Sequence, residues 1–461
     1  MSTTESTAGT AAVRDLVPFG TAVRTWFAIS LQTFGGPAGQ IAVMQRALVE
    51  EKRWIGQQRF NHALSYCMLL PGPEAQQLAI YIGWLLNGTR GGLVAGTLFV
   101  LPGVLALLAL SSLYVAFGTT AAVTGLFAGL APAVVAIVAQ AVWRVGRRSL
   151  THPALIALAI ASFAALALFS VPFPLVIVAA AVIGWLLARF APQTMRPSTG
   201  HGSDDGPPPL IADDALHSER PSRGRALRIL LTGLLLWGTP LAALAILTGT
   251  NSVFTTQGVF FSGTALVTFG GAYAVLAYVA QQAVQHYGWL SAGEMMRGLA
   301  LAETTPGPLI MVVQFVAFLG AYRDPGALDP WAAALLGALL TTWVTFVPCF
   351  LFIFLGAPYI ERLHGDHSVS AALTGITAAI VGVIANLALY FALHTLFTTV
   401  HDTAWGPFHL QFPDPTTVRP TALVITAVAL FMIFKLRWSV LRVLGICAAL
   451  GLAVAGVTTA G

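Results

Sequence analysis

The residues best suited to chemistry follow a proline-rich interruption of an apolar segment. Pro71, Gly72 and Pro73 precede Glu74, and two amides, Gln76 and Gln77, come directly afterwards. An ionisable side chain inside an apolar, membrane-type segment is costly and is therefore a functional candidate. Glu74 could carry a coupling proton, or its charge could stabilise the freed N–H groups at the start of the next helix. The residue pattern leaves both roles open.

A second interruption lies earlier in the chain, where Gly35, Gly36 and Pro37 are followed by Gln40. Proline removes a backbone donor and clashes with the preceding turn, so a helix breaks there. In a bilayer the freed groups are tolerated only where they face protein or a wet cavity. Exposed helix N-termini suit an anion, and a glutamine amide can donate to an oxyanion. The breaks therefore predict an anion site, and a plain packing kink is the alternative.

Both interruptions occur twice in the chain. Phe-Gly-Gly at 34–36 returns at 269–271, Trp54 returns as Trp289, and Pro-Gly-Pro at 71–73 returns at 306–308, each 235 residues later. After an insertion of 11 residues, Pro102 likewise corresponds to Pro348. The chain is therefore expected to contain two copies of one module.

The second copy differs from the first in its ionisable residues. Leu309 stands where the first copy has Glu74, and a different carboxylate, Glu303, precedes the second Pro-Gly-Pro. Glu303 is a second coupling candidate, for which the structural role of a helix cap is favoured. The predicted site residues of this copy are Gly270, Gly271, Pro306, Gly307 and Pro308.

Composition places the chain in a membrane. Of its 461 residues, 57% are hydrophobic and 9% are charged, whereas about a quarter are charged in soluble domains. Continuous apolar runs of about 20 residues can each cross the bilayer as a helix. We therefore predict an all-α polytopic protein with thirteen spans. They are placed at 19–44, 60–86, 92–117, 121–142, 152–169, 172–190, 227–248, 256–282, 294–320, 331–356, 369–397, 420–434 and 438–459.

These runs divide the chain into four parts. Residues 1–18 form a polar tail without the features of a removable signal peptide, and 19–190 form the first repeat. Residues 191–225, rich in Pro, Gly, Ser and Asp, predict a flexible cytoplasmic linker, and 226–461 form the second repeat. The three cysteines lie apart within apolar runs, so neither a metal site nor a cofactor is expected.

Basic residues predict the orientation. If the N-terminus is cytoplasmic, most Arg and Lys residues lie near helix ends on the cytoplasmic side, as is usual for membrane proteins. These basic residues are explained by topology, so nucleic-acid binding is not expected. The loop 45–59 is an exception because it is basic yet would face outward. Alternatively, the run 60–86 is a re-entrant hairpin. With thirteen spans, seven membrane crossings separate the start of the first copy from the start of the second. An odd number gives the copies opposite orientations in the membrane, as in many transporters. If the run 60–86 is a hairpin, six crossings separate them and the copies are parallel.

Enzymatic motifs are missing from the sequence. It contains no GxxxxGK[ST], HExxH or GxSxG pattern, which argues against an ATP-driven pump, a membrane metalloprotease and an esterase. The chain is therefore expected not to be an enzyme.

Several long motifs of the chain resemble the chromate ion transporter family in its long two-domain form. The matching stretches are FGGPAGQIAVMQ at 34–45, KRWI at 52–55, LLPGPEAQQLAIYIGW at 69–84, RGGLVAGTLFVLPG at 90–103, TFGGAYAVLAYV at 268–279 and ETTPGPLIMVVQFVAF at 303–318. The resemblance implies export of chromate from the cytoplasm across the inner membrane, conferring resistance, with sulfate as a similar dianion. It also implies that the Gly, Pro and Gln residues named above, together with Glu74, form the translocation site.

Physical chemistry allows this direction of transport. A dianion that leaves a cell with an inside-negative potential gains about 4.6 kcal/mol per 100 mV. Export therefore does not require ATP. The alternative function is an importer of sulfate or another oxyanion, and the oligomeric state stays open, a homodimer being one option.

Overall fold

The computed structural model describes residues 16–34, 36–190, 209–211, 222–269, 272–359, 367–406 and 408–460. The polar tail up to residue 15 and most of the predicted linker lie outside these ranges. The helices of the first half are α1 (Phe19–Ser30), α2 (Gly36–Gln45), α3 (Gln57–Leu69), α4 (Glu74–Phe117), α5 (Ala121–Ser149), α6 (Pro153–Ala167) and α7 (Phe173–Phe190).

The second half repeats this order after one additional helix, α8. Its helices are α8 (Arg223–Thr248), α9 (Val253–Leu266), α10 (Ala272–Gln281), α11 (Ala292–Thr304), α12 (Val312–Arg323), α13 (Pro330–Gly356), α14 (His367–Leu396), α15 (Pro420–Phe434) and α16 (Val440–Ala460). Turns of π-helix at Arg46–Glu51 and Gln282–His286 extend α2 and α10. The all-α prediction is confirmed, although an antiparallel hairpin of β1 (Val400–Trp405) and β2 (Phe408–Pro413) was not foreseen.

Seven helices in the described residues are long and apolar enough to cross a membrane, namely α4, α5, α7, α8, α13, α14 and α16. Shorter apolar helices occupy Pro153–Ala167, Leu309–Arg323 and Pro420–Phe434. The chain is therefore a multi-pass membrane protein. The predicted number of thirteen spans is not confirmed, and several of the predicted runs are not single helices in the structure.

Helix α4 consists of two antiparallel arms, 74–86 and 89–117. The backbone leaves helical geometry at Asn87 and at Gly88, where φ is +61° and a side chain would be strained. A side chain at Gly96 would collide with Ile80, whereas a straight helix would hold residues 80 and 96 about 24 Å apart. The chain therefore folds back at this turn, and its small residues let the arms approach closely.

The predicted span 60–86 is also a hairpin. The rings of Tyr66 and Tyr81 lie 6.2 Å apart across the Pro-Gly-Pro break, although a continuous helix would separate these positions by about 22 Å. Helix α3 and the first arm of α4 therefore lie on the same side of the break. The open choice between a span and a hairpin is thus decided by the structure in favour of a hairpin.

The predicted span 19–44 reverses direction in the same way. The backbone N–H of Leu16, just before α1, donates to the carbonyl of Leu86 at the end of the first arm of α4. At the end of α2, the Gln45 amide donates to Gln57 at the start of α3 over 2.9 Å. Both helices therefore have their outer ends where the 87–88 turn lies. We call this the first end of the bundle.

The helices α9 to α12 form the corresponding pair of hairpins at the opposite, second end. Arg323, the last residue of α12, donates to the carbonyl of Trp289, which precedes α11, over 3.0 Å. Arg297 of α11 donates to the hydroxyl of Tyr114 over 2.8 Å. Tyr114 lies near the end of the 89–117 arm, which begins at the first end. The two pairs of hairpins therefore enter the bundle from opposite ends.

Two long helices run antiparallel through the centre. A side chain at Gly92 would meet Phe354, and one at Gly96 would meet Phe350. Later residues of the 89–117 arm of α4 therefore contact earlier residues of α13, so the two helices are antiparallel. These two helices connect the hairpins at the first end to those at the second.

The outer helices pack on one another through small residues. In α5, Gly129 lies against the backbone of α16 near Gly451, and in α14, Gly375 lies against Gly184 of α7. Helix α8, all of which is described, contains no buried residue. It is attached to α13 by hydrogen bonds from the indoles of Trp237 and Trp343 to backbone carbonyls. Its remaining apolar surface is suited to contact with lipid.

The described part of the linker returns to the first end. The backbone N–H of Ile211 donates to the carbonyl of Trp54 over 3.1 Å, and its carbonyl accepts from Gly56 over 3.2 Å. Helix α8 begins at Arg223, three residues before the predicted start of the second repeat at 226. Part of the predicted linker is thus paired with the loop that precedes α3.

Candidate functional site

The four helix breaks meet at the centre of the bundle and exchange backbone hydrogen bonds. The N–H of Gly72 donates to the carbonyl of Thr268 over 2.7 Å, and the N–H of Gly307 donates to the carbonyl of Thr33 over 2.9 Å. The Pro-Gly-Pro turn of each copy is therefore hydrogen-bonded to the other copy, at the threonine that directly precedes the Phe-Gly-Gly motif. Both glycines have positive φ, +122° and +110°, which explains the residue type. We call this arrangement the crossing.

The long helices pack on these turns in matching positions. A side chain at Gly72 would collide with the sulfur of Cys349 in α13, and one at Gly103 of α4 would collide with the carbonyl of Pro306. Gly103 and Cys349 each follow the proline that recurs between the copies, Pro102 and Pro348. The absence of a side chain at these glycines allows the turn and the long helix to touch.

Two buried glutamines of the first copy reinforce the crossing. The Gln40 amide donates to the carbonyl of Gly307 over 2.6 Å, and the Gln77 amide donates to the carbonyl of Pro71 over 2.7 Å. These carbonyls would otherwise be left without a partner where the helices are interrupted. Gln40 and Gln77 therefore have a structural role at the break itself.

A cavity of about 300 Å³ extends from this crossing towards the first end. Its inner part is formed by residues at the N-termini of three helices, with Pro37 on α2, Glu74 on α4 and Tyr273 on α10. Its outer part is formed by α5 and extends to Ser149, the last residue of that helix. The complete lining is Pro37, Ala38, Ile41, Met68, Glu74, Ala141, Arg144, Val145, Arg148, Ser149, Tyr273, Thr377 and Ile384.

The cavity is electropositive. Arg144 and Arg148, four residues apart on one face of α5, line it together with a single carboxylate among the described residues, Glu74. The N-termini of α2 and α4 add the partial positive charges of helix dipoles. Guanidinium groups can bind a planar pair of oxygens in a bidentate manner. The cavity can therefore bind a small oxyanion.

A buried acid lies next to the cavity. The hydroxyl of Tyr273 donates to the Glu303 carboxylate over 2.5 Å, and Tyr273 lines the same cavity as Arg144. The other carboxylate oxygen of Glu303 has no hydrogen-bond partner among the described residues. The hydrogen bond of Glu303 is therefore to a side chain of another helix, whereas the sequence favoured a role as a helix cap.

One predicted site residue is buried without any hydrogen-bond partner. The side chain of Gln76 is fully buried, and neither its amide nitrogen nor its oxygen has a partner in the part of the chain that the structure describes. An unpaired buried amide costs about 1–3 kcal/mol per group. Gln76 is therefore a good candidate for a contact made in another state of the protein.

The structure brings most of the predicted site residues together. The crossing contains Pro71, Gly72, Pro73, Gln77, Pro306, Gly307, Pro308 and Gln40. The cavity contains Pro37 and Glu74, and a side chain at Gly36 would lie against Tyr273. Gly35, Gly270 and Gly271 lie outside the described residues.

Sequence reasoning missed the two cationic residues of the cavity. Arg144 and Arg148 were interpreted only as part of the charge bias that sets topology. Their spacing of four places both on one helix face, and both line the cavity. Arg147, between them, does not line it and lies 5.9 Å from the ring of Trp143, although all three arginines are exposed. The spacing was visible in the sequence, but the face that turns inward was not.

The second end is closed around its hairpins by a polar cluster. Arg323 forms an ion pair with Glu294 over 2.5 Å, and the Glu294 side chain is 15% exposed. Partial burial acts to raise the pKa of Glu294, but hydrogen bonds from Arg323 and Ser291 and the charge of Arg323 hold it below its usual value. Glu294 therefore stays ionised at neutral pH and holds α11 and α12 together.

The chain is similar to known transport proteins over most of its length. The family model described as Chromate transporter matches residues 21–185 and 256–452. A chromate transport protein of Pseudomonas aeruginosa is 32% identical over 77% of this chain and 76% of its own. A chromate transport protein of Cupriavidus metallidurans is 29% identical over 79% and 80%, and a probable chromate transport protein of Synechococcus elongatus is 27% identical over 79% and 82%. No solved structure matches the chain.

The crossing predicts a specific stability defect. Replacing Gln40 with Leu leaves the buried carbonyl of Gly307 unpaired, which should cost about 1–3 kcal/mol and lower the thermal unfolding temperature in detergent. The matched control is Gln32→Leu, because Gln32 is exposed and bonds only to its own helix. Equal unfolding temperatures for the two variants would contradict the role given to Gln40.

Proposed function

The chain belongs to the chromate transporter family, and we propose that it is a secondary transporter that exports chromate from the cytoplasm and thereby confers chromate resistance. The observation that carries this proposal is the cavity that Arg144 and Arg148 line together with the N-termini of α2 and α4. Chromate is a tetrahedral dianion, and both guanidinium groups and helix N-termini bind such oxygens.

We propose that the residues at the crossing and in the cavity form the translocation site. Glycine and proline at the four breaks keep the backbone free of side chains where the substrate passes, and they expose helix N-termini. Gln76 supplies an amide that is unpaired among the described residues, next to this path. Arg144 and Arg148 join the site as the groups that attract the anion.

The membrane potential supports export. Outward movement of a dianion is favoured by about 4.6 kcal/mol per 100 mV of inside-negative potential. A cationic cavity at the cytoplasmic side raises the local concentration of anions before they cross. Uptake of the same anion would need a similar amount of work from coupled cations.

We propose that the two copies are inverted, with four re-entrant hairpins and nine crossings. The nine are the seven long helices together with the shorter α6 and α15. Between the hairpins of the first and second copies lie five crossings, made by the second arm of α4 and by α5, α6, α7 and α8. With a hairpin at 60–86 alone, the number of crossings between the copies would be even and the copies would be parallel. Because 19–44 is a hairpin as well, the number of crossings is odd and the copies are inverted.

This arrangement also accounts for the loop 45–59. Its basic residues Arg46, Lys52, Arg53 and Arg59 lie at the first end, together with Arg90 and the end of α5. Among the described residues, the second end holds only Arg297, Arg323 and Arg419. By the distribution of Arg and Lys, the first end faces the cytoplasm of a bacterial inner membrane. The N-terminus and the linker are then cytoplasmic.

In the described conformation the arginine-lined cavity lies at the proposed cytoplasmic end, and the hairpins of the second copy are held together at the other end. Stacked Tyr287 and Trp289, 4.4 Å apart, and the Glu294–Arg323 pair hold the hairpins of the second copy together. Alternating access then requires these contacts to loosen while the cavity closes. We propose that the crossing is the fixed point of that movement.

Glu74 is the main candidate for coupling to protons. Among the described residues it is the only carboxylate in the cavity lining, which it shares with two arginines. Its protonation raises the net charge of the lining, so proton binding and dianion binding reinforce each other. Glu303, bonded to Tyr273 beside the cavity, is the second candidate. Glu74 is also placed where a carboxylate stabilises a helix N-terminus.

Neutralising the cavity should abolish chromate binding. In everted membrane vesicles, Arg144→Gln and Arg148→Gln should each lower chromate uptake at limiting concentration by about tenfold or more, as expected for loss of a charge-assisted contact. The matched control is Arg147→Gln, which removes a neighbouring charge outside the cavity. If all three variants transport equally well, the cavity is not the binding site.

The same vesicles distinguish export from sulfate import. An exporter accumulates chromate in everted vesicles, and sulfate reduces that uptake only as a competitor. A sulfate importer would instead accumulate sulfate in right-side-out vesicles, and its deletion would impair growth on sulfate. Absence of chromate uptake in everted vesicles, with sulfate uptake in right-side-out ones, would replace the proposed function with the alternative.

The topology predicts which loops share a side. Single cysteines that replace Arg53, Thr89 and Thr151 should react with an impermeant thiol reagent only from the cytoplasmic side. Single cysteines that replace Thr119 and Asn251 should react only from outside. The native cysteines are buried and serve as the unlabelled background. Labelling of positions 53 and 89 from opposite sides would contradict the hairpin arrangement.

Removing the titratable group at position 74 should alter the pH dependence of transport. Glu74→Gln keeps the size and polarity of the side chain but cannot bind or release a proton. We expect slower transport with a flattened pH profile, measured as chromate uptake in everted vesicles between about pH 5 and pH 8. A variant with the profile of the unsubstituted protein would leave Glu74 with the helix-capping role only.

A further inference from the structure

A second cavity, of about 520 Å³, lies at the second end of the bundle. It is enclosed by the end of α6, by α10 with its π-helical extension, by α14, and by the β1–β2 hairpin. The proposed function does not use this cavity. Its walls include one carboxylate, Asp402, one imidazole, His409, and four amides, Gln281, Gln285, Asn386 and Gln411.

The position of this cavity matches that of the first one. Helices α5 and α14 begin 246 residues apart, which is also the separation of Pro102 and Pro348. At this separation Gly129 corresponds to Gly375, and both pack on a neighbouring helix where a side chain would collide. The two helices are therefore equivalent, and each one lines a cavity at its own end of the bundle.

The equivalent residues differ in charge. The cavity-lining Arg144 of α5 corresponds to Tyr390 of α14, which lines the second cavity. Arg148 corresponds to His394, whose Nδ1 lies 2.9 Å from the carbonyl of Tyr390 in its own helix. Among the residues that the structure describes, no Arg or Lys lines the second cavity. It thus retains polar donors but lacks the cations of the first.

The β1–β2 hairpin adds a negative charge to this cavity. Asp402 on β1 accepts a hydrogen bond from the Gln411 amide over 2.8 Å, which fixes its position. The hairpin is attached to the membrane helices by the N–H of His409, which donates to the carbonyl of Leu168 over 2.7 Å. Phe408 packs on Phe169 with ring centroids 5.0 Å apart. The carboxylate is therefore held at the wall of the cavity.

We propose that the second cavity is a release chamber, a weak binding site for the same tetrahedral oxyanion on the far side of the crossing. Its amides can donate hydrogen bonds to oxyanion oxygens. Without cations, and with Asp402 nearby, it binds the anion less tightly than the arginine-lined cavity, so the anion leaves. This inference rests on the proposed transport of an oxyanion, and it adds the site from which that anion is released.

The test gives the release chamber the cation that its counterpart has. In proteoliposomes containing the full chain, the external chromate concentration that half-inhibits export is measured. Tyr390→Arg should lower it about tenfold, since a guanidinium contact binds an oxyanion strongly, and should slow export at saturating internal chromate. Ala327→Arg adds the same charge to an exposed loop at the same end, outside the cavity, and should change neither value.

A second variant guards against misfolding of the first. Asp402→Asn removes the negative charge from the exposed hairpin without altering its size, and it should lower the half-inhibiting concentration in the same direction, by about threefold. If Asp402→Asn and a folded Tyr390→Arg both leave that concentration unchanged while export continues, the release chamber is ruled out.

A binding measurement separates this inference from the proposed function. With Gln285→Cys, labelling by an impermeant thiol reagent from outside should be slowed by external sulfate, a tetrahedral dianion that does not oxidise thiols. Adding Tyr390→Arg should lower the protecting sulfate concentration about tenfold. Protection without any chromate export would contradict the proposed function and keep the site. Export without protection in either background would overturn the site and keep the function.

Discussion

Backbone groups inside a bilayer have no water with which to bond, and the crossed bonds at the centre of this protein meet that constraint. The chain is interrupted four times within its apolar segments, and each interruption frees N–H and carbonyl groups. The Gly72 N–H bonds to Thr268 and the Gly307 N–H bonds to Thr33, so each half of the chain satisfies the other. The backbone groups freed in one copy are therefore bonded by the other copy.

Local chemistry predicted where the helices break but not where the chain goes afterwards. Proline and glycine remove a donor and permit positive φ, so the breaks at 35–37 and 71–73 could be located from the residue types alone. Whether a helix continues across the membrane or returns depends on distant contacts, such as that between Tyr66 and Tyr81. A run of apolar residues has the same composition in both cases, which is why two hairpins per copy were interpreted as spans.

In the candidate site, too, some residues could be predicted from their type, whereas others depend on contacts between distant parts of the chain. Glu74 and Pro37 could be predicted because their residue types are unusual in an apolar segment, and both line the cavity. Arg144 and Arg148 lie about seventy residues further along the chain, near a helix end where arginine is ordinary. Only the packing of α5 against α14, α15 and α16 determines that these two residues line the cavity that holds Glu74. The β1–β2 hairpin was missed because its residues belong to a short polar stretch between apolar runs.

A scaffold with two matching halves has no direction of its own, so direction must come from the places where the halves differ. The crossing is nearly symmetric in its backbone bonds, but its surroundings are not. The first copy adds two amides and a carboxylate after its Pro-Gly-Pro turn, and α5 adds two arginines that α14 replaces with Tyr390 and His394. Under the proposed function, an anion meets the arginine-lined cavity at one end and, at the other, a cavity that no described arginine or lysine lines. The membrane potential then acts along the proposed direction of export, so the side chains need only favour entry at one end and exit at the other.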